Sequence, residues 1–186
     1  MEITSTLYVS DREAWRAWLQ EHYRTDPEVW LVYPRKHTGR PRIPYNDAVE
    51  EALCFGWIDS TRKTLDVDHT AQRFSPRRPG SGYSQPNKER LRRLIAQGKV
   101  APDVLEKLRD VDLESFEIAP DILRALQANE AAWRNFQGFS GPYQRIRIAF
   151  VDDARDRPEE FDKRLRHFLR MTEQNKRFGY GIESFY

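Results

Sequence analysis

This chain has little with which to cross-link itself. Its 186 residues include a single cysteine, Cys54, so no internal disulfide can form. That fits a reducing compartment, and the cytoplasm is the expected location. Histidine is also scarce. His22, His37, His69 and His167 are scattered, and no pair of ligand-type residues falls at C-x-x-C or H-x-x-x-H spacing, so no metal site is expected. No apolar run approaches membrane-spanning length, so membrane insertion is not expected. The opening MEITSTLYVSDREAW has no basic region leading into an apolar one, and no signal peptide is expected. The P-loop, G-x-G-x-x-G and G-x-S-x-G patterns are absent, and no cofactor is expected. No dominant charge sign exists, with 31 Lys and Arg against 29 Asp and Glu.

What is present is aromatic. Low mean hydropathy (−0.82) and 32% charged residues would by themselves suggest disorder. The 12% of aromatic residues argues the other way, because large rings bury much area each. Charge is unevenly spread. Between Arg73 and Arg93 lie seven Lys and Arg and one acid, Glu89, whereas residues 151–162 hold six acids and two arginines. The first pattern fits an anion-facing surface, or an ordinary solvated helix face.

Periodicity orders the chain. Ser10-x-x-Glu13 reads as a capping box for a helix with Ala14, Trp15, Trp18 and Leu19 on one face. Residues 29–33 read as a buried strand and 34–44 as a loop. A helix from Tyr45 or Asn46 carries Ala48, Val49, Ala52, Leu53 and Phe55, and Gly56 suits its C-terminal turn. Residues 57–65 read as a strand with Trp57, Asp59, Thr61 and Lys63 on one face, and 71–75 as its partner. From Asn87 a helix turns Leu91, Leu94 and Ile95 inward and its basic residues outward, and a short helix runs from Ala101-Pro102 to Leu108. After a linker, four helices are expected, with Phe150 among the inward residues of the third. The aromatic tail KRFGYGIESFY has no period, and either straps across a surface or is mobile.

The chemically capable residues concentrate in 46–95. Cys54 is a weak nucleophile candidate, because a helix C-terminus raises a thiol's pKa and a buried structural role suits a free cysteine. Asp59 is a weak acid–base candidate beside Trp57, and a structural ion pair with Arg62, Lys63 or Arg73 is the favoured reading. Arg73, Arg77, Arg78, Lys88, Arg90, Arg92 and Arg93 surround Phe74 and Tyr83, which suits an anion held by guanidinium groups beside rings. No RNP motif, zinc finger or helix-turn-helix accompanies them, so nucleic acid is the weaker alternative partner.

EALCFGWIDSTRKTLD (51–66) followed by QRFSPRRPGSGYSQPNKERLRRLIAQGKV (72–100) resembles the YdeI/OmpD-associated, or bacteriocin-protection, family. DREAWRAWLQEHY, VWLVYPRKHTGRP and APDILRALQANEAAWRNFQGFSGPYQRIRIAFVDDA are similar to that family's opening and C-terminal regions, so the resemblance runs to about Arg177. Cys54, Gly56, Trp57, Asp59, Arg73, Pro76, Arg77, Tyr83, Asn87 and Arg90 fall in its central motif. The chain departs from the family where Tyr83 stands near a common tryptophan, where DDARDRPEEF replaces a basic turn, and in its added tail. The resemblance implies a small bacterial cytoplasmic protein tied to stress or bacteriocin tolerance, and no catalytic residues to carry over. The expected fold is α+β, a small antiparallel sheet packed with helices and then an all-helical part. The expected divisions are 1–112, 118–177 and the tail 178–186. The expected function is a non-enzymatic binder of a small anionic ligand through Trp57, Arg73, Arg77, Tyr83, Asn87 and Arg90. The alternatives are an enzyme using Asp59 near Cys54 or a histidine, and weak nucleic-acid binding.

Overall fold

The computed structural model describes residues 2–186 and shows an α+β fold. The chain divides into two compact units: residues up to Tyr83 with Arg90–Leu113, and Ser84–Glu89 with Glu114–Tyr186.

The first unit contains β1 (Thr6–Leu7), α1 (Arg12–His22), β2 (Val29–Pro34), α2 (Tyr45–Cys54), β3 (Trp57–Thr64), β4 (His69–Pro76), the later part of α3 (Gln85–Ala96) and α4 (Pro102–Lys107). The sheet order is β1-β2-β4-β3. β2, β4 and β3 are antiparallel as expected, while two-residue β1 pairs parallel with β2 and makes the sheet mixed. So short a strand carries no readable period. α1 is capped by Asp11, whose carboxylate accepts from the Ala14 N–H at 2.9 Å, rather than by Ser10. The ionised oxygen is the stronger acceptor and opposes the positive helix end. Trp15 and Leu19 are buried, and Ala14 faces solvent instead of sharing that face.

α2 buries the expected Ala48, Val49, Ala52 and Leu53, and also Glu50 and Glu51. The turn into β3 requires the positive φ of Gly56, +70°, which a side chain would strain. In β3 the pairing steps from Asp59↔Phe74 to Arg62↔Gln72 through a bulge. The bulge resets the alternation, so Arg62 shares a sheet face with Asp59 and Lys63 moves to the opposite one, contrary to simple period-two reading. There Lys63 lies over the Trp30 ring at 5.4 Å. Trp15, Trp30, Trp57 and Phe74 are fully buried. Each such ring removes roughly 150–250 Å² from water, about 4–6 kcal/mol before entropy is counted. Few large rings can therefore hold together a chain of low mean hydropathy.

The second unit contains α5 (Pro120–Gln127), α6 (Glu130–Gln137), α7 (Gly141–Asp152) and α8 (Pro158–Glu173). Asn129 and Ser140 cap α6 and α7 through their side-chain oxygens. Ile122, Leu126, Phe136, Tyr143, Ile146 and Phe168 build its core. Phe150, expected inward, is instead 41% exposed, and the Arg147 and Arg164 guanidinium groups lie 4.5 and 4.1 Å from its ring centre. The tail is a strap in this unit. Ile182 and Phe185 are buried, the Ser140 hydroxyl donates to the Phe185 carbonyl, and the Phe178 N–H donates to the Tyr143 hydroxyl at 3.0 Å. No helix among the described residues is long and apolar enough to cross a membrane.

Candidate binding cleft

A cleft of about 850 Å³ opens in the first unit where α2 turns into β3. Such a volume lies within the range of small-molecule sites, roughly 300–1,000 Å³. Phe55, Gly56 and Trp57 lie on one side, the loop after β4 on another, and α4 with the following turn on a third. Trp57 is held rigidly. Its indole N–H donates to the Tyr23 carbonyl at 3.0 Å, and its ring meets Trp18 edge-on at 5.8 Å.

Arg77 shapes the basic loop. Its backbone N–H donates to the Gly56 carbonyl at 2.9 Å, tying the loop to the α2–β3 turn. Its guanidinium lies 3.7 Å from the centre of the Tyr83 ring and donates to the carbonyls of Ser81 and Gly82. The basic loop thus closes on its own arginine, and Arg77 arrives already oriented. Burial raises the Tyr83 phenol pKa against the opposing charge of Arg77, so Tyr83 stays a neutral donor. Arg78 and Lys107 add exposed cations with no carboxylate in ion-pair distance among the described residues. On the α4 wall, burial acts to raise the Asp103 pKa, but hydrogen bonds from Tyr23 (2.8 Å) and Arg24 outweigh it and keep the carboxylate ionised. Counting Arg24, Arg77, Arg78 and Lys107 against Asp103 and Asp110, the lining carries a formal +2.

Of the six residues expected to bind the ligand, the cleft gathers Trp57, Arg77 and Tyr83, and Arg78 of the basic cluster joins them. It does not gather the others. Arg73 pairs with Trp30 in the register and therefore sits on the sheet face opposite Asp59, where it ion-pairs with Glu28 at 2.6 Å. Arg90 is 7% exposed rather than outward, and donates to Asn46 Oδ1 at 3.3 Å. Asn87 is buried and belongs to the second unit. Cys54 is fully buried, and desolvation with the nearby Glu51 charge pushes its thiol up to about 11. That favours the protonated, unreactive form. His37 and His69 are bound to Asp68 and Asp66 at the β3–β4 turn. Asp59 accepts the Tyr45 hydroxyl at 2.5 Å, while Arg62 donates to Thr70. Among the described residues, no group of three or more His, Cys, Asp or Glu side chains converges as a metal site would need. Lys107 was not legible as a site residue, because only the packing of α4 brings it to the basic loop.

Residues 7–107, more than half of the chain, match the model of a domain of unknown function, DUF8412. The chain belongs to that family. Residues 115–175 match the model of the bacteriocin-protection, YdeI or OmpD-associated family. The resemblance to the latter is thus matched in the helical C-terminal part, whereas the 51–100 motif and the cleft lie within the DUF8412 match. No curated protein and no solved structure gives a significant match.

Proposed function

We propose that the protein is a non-enzymatic binder of a small anionic ligand bearing a ring or other flat apolar part, acting in bacterial stress or bacteriocin tolerance. The observation that carries this reading is Arg77, oriented over Tyr83 by its own loop and facing a cleft floored by Phe55 and Trp57. A preorganised guanidinium loses little freedom on binding, and its fixed positive charge attracts a carboxylate or phosphate. Arg78 and Lys107 supply further positive charge, and Trp57 and Tyr83 the apolar surfaces. The anion is therefore held by Arg77, Arg78 and Lys107 rather than by an Arg73–Arg77–Arg90 set.

Thermal-shift and calorimetric titrations with ATP and inorganic pyrophosphate test this. ATP is expected to stabilise the native protein more than pyrophosphate does, and the gain is expected to fall as salt rises. The Arg78→Ala/Lys107→Ala double variant removes two exposed cations of the cleft. It is expected to keep the parent's melting temperature and lose most of the ligand-induced shift. An unchanged shift in the double variant sinks the reading.

A further inference from the structure

A second group of polar side chains lies on the helix-covered face of the sheet, and none of its members lines the cleft. The register places Tyr33 beside Thr70, Arg62 beside Gln72, and Asp59 beside Phe74, all on one face. The bulge in β3 is what brings Arg62 to this face. Tyr45, in the first turn of α2, donates its hydroxyl to Asp59 at 2.5 Å. Its neighbour Asn46 accepts from buried Arg90 at 3.3 Å. Arg42 closes the group and is anchored through the Pro34 carbonyl at 3.1 Å.

One atom in this group has no structural explanation. Tyr33 is 6% exposed, and its hydroxyl oxygen is buried with no hydrogen-bond partner among the described residues. Tyrosine hydroxyls usually find a partner when buried, because an unmet donor and acceptor are expensive in a protein interior. Burial raises the Tyr33 phenol pKa, and Tyr45, Asp59, Arg62 and Arg42 lie near enough to act on it electrostatically. Desolvation draws the Arg90 pKa down, opposed first by the charge of Glu50 and then by Tyr45 and Asp59. The group therefore has a buried floor of Tyr33 and Arg90. Its rim is more accessible, with Tyr45, Asp59 and Arg42 partly exposed and Arg62 exposed.

We propose that this group is a second ligand site, which takes a small carboxylate carrying a hydroxyl or amino group. The Tyr33 hydroxyl and the arginines donate to the carboxylate. Asp59 has acceptor capacity beyond the Tyr45 bond and takes the ligand's hydroxyl or ammonium donor. A simple anion satisfies only half of this arrangement, because it leaves Asp59 facing negative charge. A simple cation fails on the arginine side for the same reason.

Tyr33→Phe isolates the decisive atom, since it removes one hydroxyl from a buried ring and keeps the ring's shape. Heat denaturation and calorimetry of the parent, Tyr33→Phe and Asp59→Asn are compared with lactate, L-serine and acetate as probes. Without a probe, Tyr33→Phe is expected to melt at or above the parent, because an unmet hydroxyl is gone. With lactate or L-serine the parent is expected to gain stability, and both variants to lose at least tenfold in affinity. Acetate is expected to bind more weakly than either. No stabilisation of the parent by lactate or L-serine, equal binding of acetate, or equal affinities in the parent and Tyr33→Phe would each overturn the site. The Arg78→Ala/Lys107→Ala variant is expected to bind lactate and L-serine like the parent, so failure here is distinct from failure of the cleft.

Discussion

The first unit holds its buried acids in an arginine network, as the second holds Glu89 against Arg145, but the second also buries a cation by other means. In the first, Arg12 and Arg16 of α1 and Arg93 of α3 converge on Glu50 and Glu51 of α2. Glu51 is 2% exposed and accepts from two arginines at once. In the second, Arg147 is 5% exposed and has no carboxylate in ion-pair distance among the described residues. Its guanidinium lies 4.5 and 4.6 Å from the Phe150 and Phe178 rings and donates to the Phe178 carbonyl at 3.1 Å. Desolvation draws its pKa down, and nearby tyrosines oppose that only in part. An ion-pair network makes each partner costly to remove, because a buried charge is left behind. A cation held by rings and one carbonyl leaves nothing charged when it goes.

Matched substitutions can break this contrast. Arg12→Met is expected to cost about 3 kcal/mol, near the low end for breaking a buried pair, because Arg16 still reaches Glu51. Arg147→Met is expected to change stability by about 1 kcal/mol or less, since methionine fills the space between the rings and strands no acid. Urea denaturation of both variants measures the difference, and equal losses would end the contrast. Phe178→Ala sharpens it. It removes one ring from Arg147, and is expected to cost about 1–2 kcal/mol, mostly recovered in the Arg147→Met background. Equal losses in the two backgrounds would show that the ring acts through packing alone.

The smallest effect concerns an exposed pair of the second unit. Arg155 donates to Asp121 at 2.8 and 2.9 Å, and these hydrogen bonds hold the Asp121 carboxyl down at about 2, against 3.8 ordinarily. A depressed folded pKa means the stabilisation is fully present above the unfolded value. It is lost as pH falls from 3.8 through about 2. Asp121→Asn is therefore expected to lower the melting temperature slightly at neutral pH and to make progressively less difference as pH falls from 3.8 through about 2. Both side chains are more than 40% exposed, so the effect is expected to be slight. The same contact gives the acidic DDARDRPEEF turn its role, for Arg155 also holds Asp152 of that turn.

Much of the fold was legible because it rests on local rules. Gly56 after the DAVEEALCF run, the paired strands 57–65 and 71–75, and proline in the first turns of α5 and α8 all follow from backbone preference. The candidate site was less legible. The seven basic residues of 73–93 read as one patch, yet strand alternation sends Arg73 to Glu28, helix packing buries Arg90, and a loop closure claims Arg77. Tyr33 read as a core residue, which its ring is, and nothing local marks its hydroxyl as unmet.

The sequence by itself determined that this is an α+β chain with aromatic anchors, a hairpin after Gly56 and a helical second part. Those features depend on residues within a few positions of one another. Only the tertiary structure decided which charges meet. A one-residue bulge put Arg62 beside Asp59, α4 carried Lys107 to the basic loop, and the tail closed over Arg147. Electrostatic partners are chosen by distance in space and by burial, and neither is written in local spacing.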